Sequence, residues 1–296
     1  MKATLFTGSA VALVTPFDKT GKHIDFDKLG ELVEYHIANN TDALVVCGTT
    51  GEAPTLEDDE HCEAVKYSID KCAGRIPVIA GTGSNNTDHA VMMTKIAEQC
   101  GADGILSVTP YYNKTTQRGL YEHYKTIANA TSLPIILYNV PSRTGVNIAP
   151  DTVKALSDID NITAIKEASG NISQVAQVAA LCGDNIDIYS GNDDQIVPIM
   201  SLGGKGVISV VANVAPKQTH DLVKKFIDGD YKGSLKMQLD MIELINALFC
   251  EVNPIPVKTA MNIMGFEVGP TRLPLCDMSD NNLQRLRTAM KNYGLI

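Results

Sequence analysis

The sequence predicts an α/β protein with a single (β/α)8 barrel, a TIM barrel, followed by a C-terminal helical extension. Eight short apolar runs recur along the chain, segments with helical signals separate them, and polar side chains follow several of the runs. Most runs are continuously apolar, which is typical of parallel strands buried on both faces. Strand and helix alternating eight times is the pattern of this barrel.

The predicted elements follow from local composition. The strands are expected at residues 10–15, 43–47, 77–80, 104–109, 134–139, 162–166, 186–190 and 207–210. Residues 55–58 (TLED) fit a capping pattern that predicts a helix through about Cys72. Pro150 suits the first turn of a further helix, and Asn171 can cap the next one. Gly183 stands where that helix should end.

The chain divides into a barrel and an appendix. The eighth predicted strand and its helix end near Gly229, so residues 1–229 are expected to form the barrel. Residues 230–296 are mostly helical in pattern, with breaks at 253–256 (NPIP) and 269–270 (GP). This segment is short and has no flexible linker before it. We therefore expect it to pack on the barrel and not to form an independent domain.

Composition excludes several classes of function. The 296 residues are 44% hydrophobic and 20% charged, as in an ordinary soluble globular protein. The net charge of −9, without any basic run, disfavours a nucleic-acid partner. No apolar stretch reaches the roughly 18 residues of a membrane span. Seven scattered cysteines without a C-x-x-C pair indicate reduced thiols and a cytoplasmic protein. The apolar run of residues 1–12 is interrupted at 7–9, which argues against a signal peptide.

Reactive side chains gather at the C-terminal ends of the predicted strands, where barrel enzymes carry their chemistry. Lys166 closes the apolar strand at 162–166. Burial disfavours the charged form of an amine, and a neutral amine can attack a ketone to form a Schiff base. For this residue alone, a lysine that ends a strand and extends to water is an equally good interpretation.

Other candidates follow the second, fourth and fifth strands. The turn at 48–52 (GTTGE) offers backbone N–H groups and hydroxyls to a carboxylate, although an ordinary βα turn has the same composition. Arg143 can clamp a second carboxylate or be a surface loop residue. Tyr138 and Tyr112 lie at strand ends, where they can transfer protons or simply pack.

Metal and nucleotide chemistry are disfavoured. The six histidines show no metal-ligand spacing, and no Cys/His cluster exists in the sequence. The glycines at 81–86 (GTGSNN) do not complete the G-x-G-x-x-G fingerprint. The sequence therefore predicts an enzyme without a metal or other cofactor.

In combination, these motifs resemble the dihydrodipicolinate synthase family, which belongs to the Schiff-base-forming class I aldolases. The motifs are 48–52 (GTTGE), 111–113 (YYN), 138–145 (YNVPSRTG) and 165–168 (IKEA). The likeness runs from Phe6 to the C-terminal helices and includes 253–258 (NPIPVK), so it covers nearly the whole chain.

The resemblance implies a mechanism. Lys166 would form a Schiff base with pyruvate, and Thr49 and Thr50 would hold the pyruvate carboxylate. Tyr138 would act as general acid and base, and Thr49 would connect it to Tyr112 in a proton relay. The enamine would attack L-aspartate 4-semialdehyde to give 4-hydroxy-tetrahydrodipicolinate, in diaminopimelate and lysine biosynthesis.

Further roles follow from the same resemblance. Arg143 would bind the carboxylate of the semialdehyde, and Gly191 and the carbonyl of Ile208 would line the site. Tyr112 would reach into the active site of a neighbouring subunit. Family members are commonly tetramers built from two tight dimers, so a homotetramer is expected.

Two alternatives remain open at this point. Related lyases that act on sialic acid or 2-keto-3-deoxy sugar acids share the lysine and the strand-five tyrosine, but Arg143 suits a second substrate with its own carboxylate. A catalytically silent barrel that senses a small carboxylate is the other. It is disfavoured because Lys166, Tyr138, Tyr112 and Thr49 are all present.

Regulation is where the sequence departs from part of the family. His61, Asn85 and Tyr111 match the lysine effector site of inhibited members, whereas His89 replaces its acidic residue, and Asp58 replaces a histidine. Removing one partner of a buried charge pair commonly costs about 2–5 kcal/mol. We therefore predict weak or absent inhibition by lysine.

Overall fold

The computed structural model describes residues 2–296. The strands are β1 (Gly8–Ala12), β2 (Ala43–Val46), β3 (Val78–Gly81), β4 (Gly104–Val108), β5 (Ile135–Asn139), β6 (Ile162–Glu167), β7 (Asp187–Ser190) and β8 (Gly206–Ser209). Each strand pairs in parallel with the next, and β8 closes the barrel on β1. The predicted barrel and its strands are confirmed.

The first strand begins two residues earlier and ends three residues earlier than predicted. Gly8 pairs with Gly206 of β8, so the ladder begins before the apolar run at 10–15 does. The ladder ends at Ala12, and at Val14 the backbone N–H donates to the side-chain oxygen of Asn213 at 3.1 Å. The last apolar residues of the run are thus buried without being part of the sheet.

Helices separate the strands and continue after the last one. They are α1 (Phe26–Ala38), α2 (Asp58–Cys72), α3 (Thr87–Cys100), α4 (Gln117–Ala128), α5 (Pro141–Thr144), α6 (Pro150–Leu156), α7 (Ile172–Cys182), α8 (Ile196–Ser201), α9 (Pro216–Ile227), α10 (Tyr231–Asp240), α11 (Ile242–Leu248), α12 (Ile255–Ile263) and α13 (Asp280–Tyr293). No helix within residues 2–296 has the length and apolarity needed to cross a membrane.

Most predicted helix boundaries are confirmed. Asn171 caps α7 by accepting a hydrogen bond from the Gln174 N–H, and Pro150 occupies the first turn of α6. The helix that ends at Cys72 begins at Asp58, and its capping box joins Glu57 and Glu60. Thr55, which starts the predicted capping pattern, belongs to a short 3₁₀ turn before the helix.

The core has two parts. Side chains between the strands and the surrounding helices form the larger part, and inward-facing side chains fill the barrel itself. In the interior, the rings of Phe6 and Tyr189 stack with centroids 4.2 Å apart, and the Tyr189 hydroxyl donates to the Phe6 carbonyl at 2.5 Å. Phe6 precedes β1, so apolar groups fill that end of the strand and the opposite end is left for polar groups.

The C-terminal segment contacts the turn after β2 through a buried ion pair. Nζ of Lys258, on α12, lies 2.8 Å from the carboxylate of Glu52, and both side chains are almost fully buried. Burial lowers the pKa of Lys258 to about 8, although the charge of Glu52 opposes this shift. The backbone N–H of Arg272 donates to the same carboxylate at 2.9 Å. Residues far beyond the barrel strands thus fix the GTTGE turn.

Candidate active site

A cavity of about 400 Å³ opens at the C-terminal ends of β2, β3, β4 and β5. The predicted site residues that line it are Thr49, Tyr138, Arg143, His61, His89 and Tyr111. The first three were predicted to act on substrates and the last three to bind an effector. Both groups therefore border one continuous space, which the sequence did not indicate.

Lys166 lies beside Tyr138 at this end of the barrel. The two residues are register partners on β6 and β5, and Nζ of Lys166 is 4.3 Å from the centroid of the Tyr138 ring. Their exposed fractions are 5% and 7%, so Lys166 does not extend to water. The other buried lysine of the described chain, Lys258, also lies over an aromatic ring but forms a salt bridge with Glu52, whereas Lys166 forms no salt bridge in the described chain. A desolvated amine next to a phenol is a suitable arrangement for a nucleophile and its proton donor.

Gly191 makes room for the lysine side chain. A Cβ at this position would lie 2.7 Å from the Cβ of Ala168 and 3.1 Å from Cγ of Lys166. The Gly191 N–H donates to the carbonyl of Glu167 at 2.8 Å, which holds the loop after β7 against β6. Gly191 therefore packs along the side chain of Lys166, and its contact with substrate stays a prediction.

The side chain of Glu167 points away from the barrel interior, because neighbouring residues of a strand face opposite sides. It is buried and accepts hydrogen bonds from the Asn139 amide at 3.1 and 3.2 Å and from the Ser169 N–H at 2.7 Å. This network, which the sequence did not reveal, anchors the end of β6 and with it the backbone of Lys166.

Ile208 is fully buried in the barrel interior on β8. The turn after it is held by Asp193, which follows β7 and which the sequence analysis did not single out. Its Oδ1 accepts from the Ser209 hydroxyl at 2.5 Å, and its Oδ2 accepts from the N–H groups of 210–211 at 3.0 and 3.1 Å. Burial raises the pKa of Asp193, and these hydrogen bonds oppose that shift.

The GTTGE turn is compact and specific in backbone conformation. Cys47 and Glu52, which bracket it, have φ of 54° and 56°, in the left-handed region that costs most residues energy. A Cβ on Gly51 would lie 3.1 Å from the Leu13 carbonyl oxygen, closer than most Cβ contacts in proteins, so glycine suits this close approach. Thr49 faces the cavity, whereas Thr50 is buried.

Arg143 lies on α5, the single turn of helix that follows β5. It is one of the residues that line the cavity, and its Nη2 donates to the backbone carbonyl of Asn253 at 3.3 Å. A guanidinium has five N–H donors, so the remaining donors can bind a carboxylate. The structure therefore places Arg143 at the cavity, and its binding of a second carboxylate stays a prediction.

Tyr112 does not reach the cavity of its own chain. Its side chain is 91% exposed, and its φ of 68° lies in the left-handed region. Within one chain the structure therefore brings Tyr138 and Thr49 together at the cavity but leaves Tyr112 outside it. The predicted three-residue relay is not assembled within a single chain.

The predicted effector residues lie at the other side of the cavity. Nε2 of His89 is 3.0 Å from Oδ1 of Asp58, and the Asn85 amide donates to the Tyr111 carbonyl at 3.2 Å. His61 is buried, its Nε2 has no hydrogen-bond partner in the described chain, and burial lowers its pKa. The predicted effector region thus contains a carboxylate, that of Asp58, which is hydrogen-bonded to the His89 imidazole.

The whole chain is similar to proteins of one family. The model of the dihydrodipicolinate synthetase family matches residues 5–293. The 4-hydroxy-tetrahydrodipicolinate synthase of Caldicellulosiruptor saccharolyticus is 60% identical over 291 residues, which are 98% of each chain. The agreement in length means that the similarity includes the C-terminal helices as well as the barrel.

Solved structures give the same result. The chloride-inhibited dihydrodipicolinate synthase of Acinetobacter baumannii, in complex with pyruvate, is 45% identical with a TM-score of 0.96, covering 99% of this chain and 100% of that one. The lysine-bound enzyme of Cyanidioschyzon merolae is 40% identical with a TM-score of 0.97, covering 99% and 100%. With its motifs, its barrel and these similarities, the chain belongs to the dihydrodipicolinate synthetase family.

Proposed function

We propose that Lys166 is the Schiff-base lysine with which this chain condenses pyruvate and L-aspartate 4-semialdehyde. The chain is a lyase of lysine and diaminopimelate biosynthesis that forms 4-hydroxy-tetrahydrodipicolinate. The assignment of Lys166 rests on one observation, the buried Nζ that lies 4.3 Å from the Tyr138 ring centroid at the C-terminal end of the barrel.

The first half of the reaction makes a nucleophile from pyruvate. The nitrogen lone pair of Lys166 adds to the ketone carbon, and the resulting carbinolamine loses the ketone oxygen as water to give an imine. Tyr138 supplies the proton that this oxygen needs and accepts one from the nitrogen. Loss of a methyl proton then converts the imine into an enamine.

The second half forms the ring. The enamine carbon attacks the aldehyde of the semialdehyde, and the new hydroxyl takes a proton from Tyr138. The amino group of the semialdehyde then adds to the imine carbon and displaces the Lys166 amine, which closes the heterocycle and regenerates the enzyme. One water is released overall, at the first imine.

Two sets of donors recognise the two substrate carboxylates. Thr49 and Thr50 hold that of pyruvate, and Arg143 binds that of the semialdehyde. The guanidinium at the cavity supports this assignment over sialic-acid or sugar-acid cleavage, because a polyhydroxylated substrate needs hydroxyl-binding groups at that place. Gly191 and the carbonyl of Ile208 complete the pyruvate side.

We also propose a homotetramer made of two dimers. The support within the chain is that Tyr112 is exposed to solvent. The proposed relay through Thr49 and Tyr138 needs a tyrosine at the cavity, and Tyr112 of the same chain does not supply it. A tyrosine supplied by the neighbouring subunit completes that relay. We further propose that the enzyme works in the cytoplasm, since its seven cysteines are free thiols in the described chain.

The experiment that tests the function is a coupled assay. The purified chain is given pyruvate and L-aspartate 4-semialdehyde, and a dihydrodipicolinate reductase reports the product through nicotinamide oxidation. Turnover that requires both substrates is expected. Cleavage of sialic acid or of a 2-keto-3-deoxy sugar acid, with no condensation of the semialdehyde, would instead establish the lyase alternative.

A further inference from the structure

Asn253 contacts both proposed carboxylate-binding groups. It lies between α11 and α12 and is 5% exposed. Its side-chain Nδ2 donates to Oγ1 of Thr50 at 2.9 Å, and its backbone carbonyl accepts from Nη2 of Arg143 at 3.3 Å. One residue of the C-terminal segment therefore connects the turn after β2 to the helix after β5.

The side-chain contact determines which way the Thr50 hydroxyl points. A hydroxyl has one hydrogen to donate and two lone pairs that accept. Because Asn253 occupies a lone pair of Thr50 Oγ1, the hydrogen of this hydroxyl remains free for another acceptor. A carboxylate can only accept hydrogen bonds, so the Thr50 hydroxyl is prepared for pyruvate.

The rest of the amide argues for a functional role. Oδ1 of Asn253 is buried and has no hydrogen-bond partner in the described chain. Buried polar atoms are nearly always hydrogen-bonded, and one left unpaired destabilises the fold. An apolar side chain of similar shape avoids that loss, so the stability of the fold does not explain an asparagine here. The orientation of the Thr50 hydroxyl explains why an asparagine is present.

We propose that Asn253 is a positioning residue that organises the two carboxylate sites independently, Thr50 through its side chain and Arg143 through its backbone carbonyl. This inference rests on the proposed function. The two contacts can be separated by experiment. A substitution at 253 changes the side-chain contact with Thr50 but leaves a backbone carbonyl facing Arg143. Asn253 thereby sets the affinity for pyruvate more than that for the semialdehyde.

The test compares Michaelis constants in a double-mutant cycle. Asn253→Ala is expected to raise KM for pyruvate by about 5- to 10-fold, the loss of one hydrogen bond, and to change KM for the semialdehyde by less than about 2-fold. In a Thr50→Val background, which has no hydroxyl to orient, Asn253→Ala should add less than about a further 2-fold. Asn262→Ala removes an exposed amide of the same segment and should leave both constants unchanged.

Asn253→Asp keeps the side-chain shape and gives the same comparison if the alanine variant does not fold. It replaces the donor by an acceptor that the Thr50 hydroxyl must satisfy, so a still larger rise in the pyruvate constant is expected. Equal rises in KM for both substrates would overturn the inference. So would effects of Thr50→Val and Asn253→Ala on KM for pyruvate that simply multiply. Either result is compatible with the proposed function as long as the wild-type enzyme turns over. Absence of wild-type condensation would reject the function itself.

Discussion

Lys166 and Tyr138 are register partners on adjacent strands, and Nζ of the lysine lies 4.3 Å from the centroid of the tyrosine ring. Both side chains are buried at the C-terminal end of a closed barrel, so their relative position is set by backbone hydrogen bonds and not by a flexible loop. Rigid placement of a nucleophile and its proton donor lowers the entropic barrier of the reaction.

Tyr138→Phe tests the role of the phenol. The ring that packs over Lys166 is retained and only the hydroxyl is lost, so kcat should fall by about 100-fold or more. The measurement is steady-state kinetics in the coupled assay. Tyr124→Phe is the matched control, because it removes a buried hydroxyl that donates to the Ser107 carbonyl away from the cavity. It should lower the free energy of unfolding by about 1 kcal/mol and leave kcat unchanged; equal kcat in both variants contradicts the role.

Arg143→Ala should separate the two half-reactions. The semialdehyde loses its carboxylate partner, so its KM should rise by about 100-fold, whereas formation of the pyruvate adduct continues. The adduct is measured by borohydride trapping and the second step by the coupled assay. Arg143→Lys keeps the charge without the bidentate geometry, so its KM for the semialdehyde should lie between those of the wild type and Arg143→Ala. Equal losses in both steps would contradict the assignment.

Lysine should inhibit the enzyme weakly or not at all. A lysine ammonium would have to compete with His89 for the Asp58 carboxylate, which lies 3.0 Å from the imidazole. His89→Glu frees Asp58 and adds a second carboxylate, so the lysine concentration for half-inhibition should fall by at least about 10-fold. His89→Gln, which adds no charge, is the control. Inhibition of the unmodified enzyme by micromolar lysine would contradict this prediction.

We propose that residues 230–296 fold together with the barrel of residues 1–229. Lys258→Met leaves the Glu52 charge buried without its partner, which should lower the free energy of unfolding by about 3–5 kcal/mol. Lys236→Met, on the exposed face of α10, should have little effect, since its salt bridge with Asp240 is in water. Urea unfolding measures both variants. Cooperative folding of a chain that ends at 229 would contradict the proposal.

The strands were predictable because strands buried on both faces leave continuous apolar runs. The start of β1 was predicted wrongly, since Gly8 enters the ladder through its partner Gly206 and has no side chain to signal burial. The position of Tyr138 and Arg143 at the cavity followed from one rule, that barrel enzymes use the ends of their strands. The same rule led to Lys166, and its burial argues against the interpretation in which its side chain extends to water.

Contacts between distant segments could not be predicted. The bond from Asn253 to Thr50 joins residues 203 apart, and that from Lys258 to Glu52 joins residues 206 apart. No local pattern contains either pair, because both depend on how the C-terminal helices dock on the completed barrel. The single cavity bordered by Thr49 and Tyr138 and also by the predicted effector residue His89 likewise forms only when four strand ends meet.

The most direct test of the account is to trap the Schiff base. The enzyme is treated with sodium borohydride in the presence of pyruvate and then digested. The masses of its peptides are measured by mass spectrometry. Lys258 is a natural control within the chain, because it is also buried and burial lowers its pKa to about 8. One reduced pyruvate is expected on Lys166, none on Lys258, and no adduct in Lys166→Met. An unmodified Lys166, or an adduct that remains in that variant, would contradict the assignment of Lys166.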